Sequence, residues 1–79
     1  MHLEFETTSA PWGSASPYLT KDVMDAIEDW CDSRGLMYTV HRRKASFLGV
    51  TLRLYFDRES DSTLFMLGFN QYPFTVVNR

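Results

Sequence analysis

Three segments of the chain alternate between apolar and polar residues, which is the period of a half-buried β-strand. They are His2 to Thr7, Leu36 to Arg43 and Leu48 to Phe56. In the first segment, Leu3 and Phe5 share one face. The third segment is the longest and carries an apolar residue at every second position, so we expect it to be a central strand of a sheet.

One helix is predicted between Leu19 and Gly35, because apolar residues recur there at helical spacing. We expect Thr20 to be its N-cap and Gly35 to end it after Arg34. The apolar face is formed by Val23, Met24, Ile27, Trp30 and Cys31.

Acidic residues repeat three and four positions apart on the other side of this helix. They are Asp22, Asp25, Glu28, Asp29 and Asp32, which make up half of the ten carboxylates in the chain. Like charges at this spacing repel, so helix stability does not account for them. A basic partner would explain this acidic face, and an ordinary solvated helix surface is the alternative.

The segment from Thr63 to Phe69 is ambiguous, since it follows neither period strictly. It is predicted as a short helix, capped by Ser60 and with Asp61 in its first turn, or alternatively as a hairpin strand. A last strand is predicted from Phe74 to Val77. Because Pro73 cannot donate to a sheet, that strand belongs at an edge or begins its pairing after the proline.

The resulting order of elements predicts an α+β domain spanning residues 1 to 79. A ferredoxin-like split βαββαβ fold, with both helices on one face of an antiparallel sheet, fits this order. If Thr63 to Phe69 is a strand, the alternative is one helix packed on a four-stranded antiparallel sheet, βαβββ.

Composition and charge restrict the functional classes. An apolar content of 44% indicates a globular protein, and a net charge of −2 argues against wholesale binding to nucleic acids or membranes. Cys31 is the single cysteine and is predicted to be buried, which fits a reducing compartment. With no membrane span and no leader pattern in the sequence, we expect a cytoplasmic protein with no membrane partner.

The loop from Thr8 to Tyr18 is long for a connection of this kind, and long loops are often functional. Trp12 and Tyr18 are therefore candidate anchors for a partner, although large aromatic residues also commonly fold over the edge of a core.

The segment from Val50 to Phe69, VTLRLYFDRESDSTLFMLGF, resembles small uncharacterised phage accessory proteins. The shared pattern is an apolar strand, an acidic turn and a short element that ends in an aromatic residue. Its matching positions are read as core: Val50, Leu52, Leu54, Phe56, Leu64, Phe65 and Leu67. The resemblance implies a viral protein that binds and blocks a host enzyme, as anti-CRISPR proteins and polymerase inhibitors do.

The sequence therefore predicts a protein-binding module that covers a site on a host protein or nucleoprotein complex. Asp22, Asp25, Glu28, Asp29 and Asp32 would meet a basic surface, with Trp12 and Tyr18 as anchors. The alternative is binding of RNA or single-stranded DNA through a basic turn and the open sheet face, using His41, Arg42, Arg43, Lys44, Arg53 and Tyr55. The basic run from His41 to Lys44 is also explained, and better, by protection of a sheet edge against pairing with other strands. A homodimer is a further alternative.

No reaction is indicated by the sequence, so an enzyme, a cofactor and a metal site are not predicted. Asp57, Glu59 and Asp61 alternate like the first ligands of a calcium loop, but Ser62 stands where that loop needs glycine. His2, His41 and Cys31 lack the spacing of metal ligands.

Overall fold

The computed structural model describes residues 1–10 and 17–78. In chain order, the elements are β1 (His2–Thr8), α1 (Thr20–Asp32), β2 (Tyr38–Lys44), β3 (Gly49–Phe56), α2 (Glu59–Gly68) and β4 (Thr75–Val77). The ambiguous segment is thus helical, which confirms the preferred prediction. The alternative with one helix on the sheet is wrong.

The four strands form one antiparallel sheet in the order β2-β3-β1-β4. A mixed α+β architecture with a four-stranded antiparallel sheet was predicted and is confirmed. β3 lies between β2 and β1, as its unbroken apolar alternation indicates. Among the described strands, β4 pairs with β1 alone, so the strand that follows Pro73 is at an edge of the sheet.

The core lies between one face of the sheet and the two helices. Alternation along β1 and β3 directs Leu3, Phe5, Leu52 and Leu54 to this face. They pack with residues from both helices, namely Val23, Ile27 and Cys31 of α1 and Phe65 of α2. Because both helices join the same core, their outer sides face away from the sheet.

The predicted cap of α1 is wrong, because the helix already includes Thr20 and its N-cap is Leu19. The Thr20 hydroxyl is buried and lies 2.7 Å from the Thr7 hydroxyl and 3.0 Å from the Thr8 carbonyl oxygen. It therefore fastens α1 to β1 instead of capping the helix. At the other end, Gly35 has a φ of +67°, which favours glycine and agrees with the predicted stop.

Two predictions about α2 are also wrong. Arg58 is the N-cap and Ser60 lies inside the helix, so Ser60 does not cap it. Leu64 and Leu67 are exposed, whereas Phe65 is buried. A helix that places Phe65 and Phe69 inward must turn Leu64 and Leu67 outward, since four residues make slightly more than one turn.

The prediction that the basic run from His41 to Lys44 forms the turn between β2 and β3 is wrong. β2 continues through Arg42 and Arg43 to Lys44, and the turn follows at residues 45–48. The basic side chains consequently alternate between the two faces of an edge strand. Arg43 lies beside Thr51 in the register, and Lys44 lies beside Val50.

Candidate interaction surfaces

The acidic face of α1 is solvent-exposed. All five of its carboxylates, those of Asp22, Asp25, Glu28, Asp29 and Asp32, are on exposed residues. Among residues 1–10 and 17–78, no Lys or Arg side chain forms an ion pair with them. The charge on this side of the helix is therefore not neutralised within the described fold.

The outer side of α2 is apolar. Leu67 is 84% exposed and Leu64 is 47% exposed, and at a spacing of three residues they lie on one side of the helix. A surface helix normally presents polar residues there. The exposed carboxylates of α1 together with Leu64 and Leu67 are called the helical surface below.

Trp30 connects the two helices beneath the helical surface. Its ring contacts Phe65 and Phe69 edge-on, with ring centroids 5.3 and 6.1 Å away. The Arg34 guanidinium carbon lies 3.8 Å from the centre of the Trp30 ring, within the range of a cation–π contact. This packing fixes the side of α1 that meets α2.

Of the two aromatic residues predicted as anchors, the structure describes one. Trp12 lies outside the described residues. Tyr18 is half-buried at the edge of the core, where its ring meets Tyr72 edge-on at a centroid distance of 5.4 Å. Packing at the edge of the core thus accounts for the position of Tyr18.

The open face of the sheet carries a charged cluster that joins β1 to β3. Glu4 Oε2 lies 2.9 Å from His2 Nε2 and 3.1 Å from Arg53 Nε. The hydrogen bond from His2 holds the pKa of the Glu4 carboxyl below its ordinary value, and the Arg53 charge acts in the same direction. Arg53 is therefore engaged in an ion pair.

Tyr55 also contacts neighbouring side chains on this face. Its ring lies between His2 and His41 in the strand pattern, with centroid distances of 5.0 and 5.1 Å. The side chains that a nucleic acid would meet here, Arg53 and Tyr55, thus already have neighbours in the protein. Arg42, Arg43 and Lys44 are exposed and lie together at the far end of β2.

Comparison of the chain with protein-family models, with curated protein sequences and with solved structures finds no match. The surfaces must accordingly be interpreted from their own chemistry. Neither of the described helices has the length and apolar composition needed to cross a bilayer. In the part of the chain that the structure describes, no three His, Cys, Asp or Glu side chains are grouped so that they could hold a metal ion.

Cys31 faces the core, as predicted, and is fully buried. Burial raises the pKa of its thiol to about 11, and the nearby Asp32 carboxylate adds to this shift. The thiolate form, which is the reactive one, is therefore suppressed at neutral pH. Its geometry is that of a small core residue.

Exposed leucines on α2 were the part of the helical surface that sequence reasoning missed. The sequence does contain a signal, because Ser62, Phe65 and Phe69 are spaced three and four residues apart, as on one side of a helix. The structure buries all three. Reading that stripe as the inner face would have turned Leu64 and Leu67 outward.

Proposed function

We propose that this protein is a small cytoplasmic protein-binding module that covers a functional site on a larger host protein or nucleoprotein complex. The helical surface makes the contact. The observation that carries this assignment is the exposure of Leu64 and Leu67 on a layer that also presents five unneutralised carboxylates. Exposed leucines are unfavourable in water and become favourable when an apolar surface covers them, while exposed carboxylates favour a partner of opposite charge.

The matching partner surface is apolar where it meets α2 and basic where it meets α1. Burying the side chains of Leu64 and Leu67 would remove apolar area from water, which is the main source of affinity in such contacts. The carboxylates of α1 would instead steer association and favour a partner bearing Lys and Arg. Because the leucines supply affinity and the carboxylates steer association, leucine and aspartate substitutions should weaken binding in different ways.

A phage-encoded inhibitor, of the anti-CRISPR or polymerase-inhibitor type, is the biological role that fits this proposal. The resemblance of Val50 to Phe69 to phage accessory proteins supports it. A protein that acts by covering a site needs one complementary surface and no reaction chemistry of its own.

The ferredoxin-like assignment also belongs to this proposal. It is supported by the element order βαββαβ, by the position of β1 between β3 and β4, and by the packing of both helices into one core. In this arrangement the helical layer and the open face of the sheet are on opposite sides of the molecule. A partner on the helices therefore leaves the open face accessible.

The test is affinity capture by the tagged protein from a nuclease-treated bacterial lysate, compared across matched variants. Leu64→Ser combined with Leu67→Ser should abolish capture of the specific protein. Met37→Ser removes another exposed apolar side chain outside the helical surface and should leave capture intact.

Charge is tested by a second matched pair. Asp29→Lys and Asp57→Lys each change the net charge by the same amount, but only Asp29 lies on the helical surface. We expect the Asp29→Lys complex to dissociate at a lower salt concentration than the wild-type complex, and the Asp57→Lys complex to match wild type. Capture that is indifferent to both the leucine and the Asp29 substitutions would refute the proposal.

Self-association is the competing explanation for the exposed leucines. Sedimentation velocity of the purified protein distinguishes it directly. A monomer supports the proposed heterologous contact. A stable dimer that Leu67→Ser converts to a monomer would show that a second copy of the chain covers the leucines.

A further inference from the structure

The β2–β3 hairpin ends in a cluster of three cations and one aromatic ring. Arg42, Arg43 and Lys44 are exposed, and Phe47 in the following turn is 86% exposed. These four residues, called the hairpin end below, line one concavity of about 350 Å³. The described residues that line it include no carboxylate.

The turn that displays Phe47 is fastened to the end of β1. The Leu48 carbonyl oxygen accepts a hydrogen bond of 2.8 Å from the Ser9 N–H and one of 3.3 Å from the Thr8 hydroxyl. Within the turn, the Ala45 N–H donates to the Gly49 carbonyl oxygen at 2.9 Å. These hydrogen bonds therefore fix the backbone of the turn that carries Phe47.

The cations follow the geometry of an edge strand. Arg42 and Lys44 point to the same side of β2 and their Cα atoms lie roughly 6.6 Å apart, while Arg43 points to the other side. Among the described strands, β2 has a neighbour on one side only, so this row of charges runs along an edge of the sheet. Such a row can neutralise successive phosphates of an extended strand.

We propose that the hairpin end binds single-stranded nucleic acid, with Arg42, Arg43 and Lys44 on the phosphates and a base stacked on Phe47. Stacking on an aromatic ring beside a basic groove is the usual chemistry of single-strand recognition. An acidic peptide would pair with the cations but leave the ring exposed. One ring and three cations offer little apolar area for holding a bilayer surface.

This site differs from both surfaces considered so far. It shares no residue with the helical surface, and it does not use Arg53 or Tyr55, which are engaged on the open face. It is also independent of the proposed protein contact. A protein that presents both sites could bind a nucleoprotein complex through its protein and its nucleic acid at once.

The test is fluorescence anisotropy with short labelled strands of oligouridine and oligodeoxythymidine, titrated over a range of salt concentrations. Arg42→Gln combined with Lys44→Gln should weaken binding and reduce the slope of log K against log salt by about 1.4, the value expected for two lost phosphate contacts. The matched control is Lys21→Gln combined with Arg58→Gln, which removes two exposed cations elsewhere and should leave both quantities unchanged.

Phe47→Leu tests the stacking contact separately, because it keeps an apolar side chain and removes the ring. We expect the affinity for either strand to fall about fivefold or more. Since Phe47 is exposed, thermal unfolding monitored by circular dichroism should be the same as for wild type.

Three results would overturn the inference. The first is no binding of either strand at low salt, and the second is equal binding by wild type, the hairpin variants and the control. The third is a preference for a duplex, for polyglutamate or for vesicles of anionic lipid over the single strands. None of these results bears on capture through the helical surface, so the two proposals fail independently.

Discussion

The Trp30 ring lies against Gly68, the last residue of α2, closely enough that no side chain fits between them. A Cβ placed on Gly68 would be 2.7 Å from Cζ2 and 3.2 Å from Cη2 of Trp30. Because the ring also contacts Phe65, Phe69 and the Arg34 guanidinium, it is confined by its neighbours. The absence of a side chain at Gly68 thus sets how closely the two helices approach.

Gly68→Ala should therefore destabilise the protein, although alanine is the better helix former. Displacing a packed ring costs about 1–3 kcal/mol, and the gain in helix propensity of about 1 kcal/mol offsets part of it. We expect a net loss of about 1 kcal/mol in the free energy of unfolding, measured by urea titration with tryptophan fluorescence. Ser60→Ala, at an exposed position of the same helix, is the control. Increased stability of Gly68→Ala would contradict the close packing.

Two buried hydroxyl groups join α1 to the sheet. Thr7 donates to the Val50 carbonyl oxygen at 2.7 Å, and Thr20 can donate either to the Thr7 hydroxyl or to the Thr8 carbonyl oxygen. Thr20→Val keeps the shape and removes this donor. We expect a loss of about 1–2 kcal/mol in the free energy of unfolding.

Thr39→Val is the matched control for that experiment, because Thr39 is exposed on β2. Its effect should stay within about 0.5 kcal/mol. Chemical denaturation of both variants at neutral pH gives the comparison. Equal stability of Thr20→Val and Thr39→Val would show that the buried hydroxyls do not hold α1 in place.

The charged cluster on the open sheet face predicts a pH dependence of stability. The His2 hydrogen bond and the Arg53 charge lower the pKa of Glu4 below its ordinary value of 4.5 in the folded protein. A depressed carboxyl pKa contributes stability that is fully present above the unfolded value and is lost as the pH falls through the folded value.

Glu4→Gln should consequently be less stable than wild type at neutral pH, by up to about 1 kcal/mol for a partly exposed pair. The difference should disappear under acidic conditions, where Glu4 itself becomes neutral. Urea titrations at several pH values measure it, and Glu28→Gln controls for the loss of one carboxylate. A stability difference between Glu4→Gln and wild type that grows as the pH falls would contradict this prediction.

The Cys31 thiol should be unreactive in the folded protein. Its raised pKa, about 11, keeps the thiol protonated at neutral pH, and its complete burial keeps reagents away from the sulfur. We expect labelling by a disulfide reagent at about pH 8 to be slow in buffer and fast in urea, compared with free cysteine whose pKa is near 8.5. Rapid labelling without denaturant would show that the core around α1 opens readily.

Much of the fold was accessible from the sequence because it depends on local periodicity. The alternation in β3 and the apolar stripe of α1 each identify an element and its inner face. The placement of Thr20 was missed for a different reason. Its hydroxyl serves residues of β1 that are more than ten positions away, and no local capping rule includes such a contact.

The candidate surfaces, too, could be predicted only where they follow from local spacing in the sequence. The acidic face of α1 follows from helical spacing alone, and the structure exposes all of it. The apolar character of Leu64 and Leu67 predicts that they belong to the core, but whether an apolar residue is covered depends on which elements pack above it. Likewise, the pairing of Arg53 with Glu4 requires the register of β1 against β3, which the sequence does not specify.

The most direct test of the central claim is carboxylate footprinting of the protein alone and in complex with the protein it captures. Carbodiimide coupling modifies exposed carboxylates, and mass spectrometry reports the extent at each position. If the helical surface makes the contact, binding protects Asp25 and Asp29 while Glu6, on the opposite face of the sheet, is modified as before. Protection of Glu6 with full modification of Asp25 and Asp29 would contradict it.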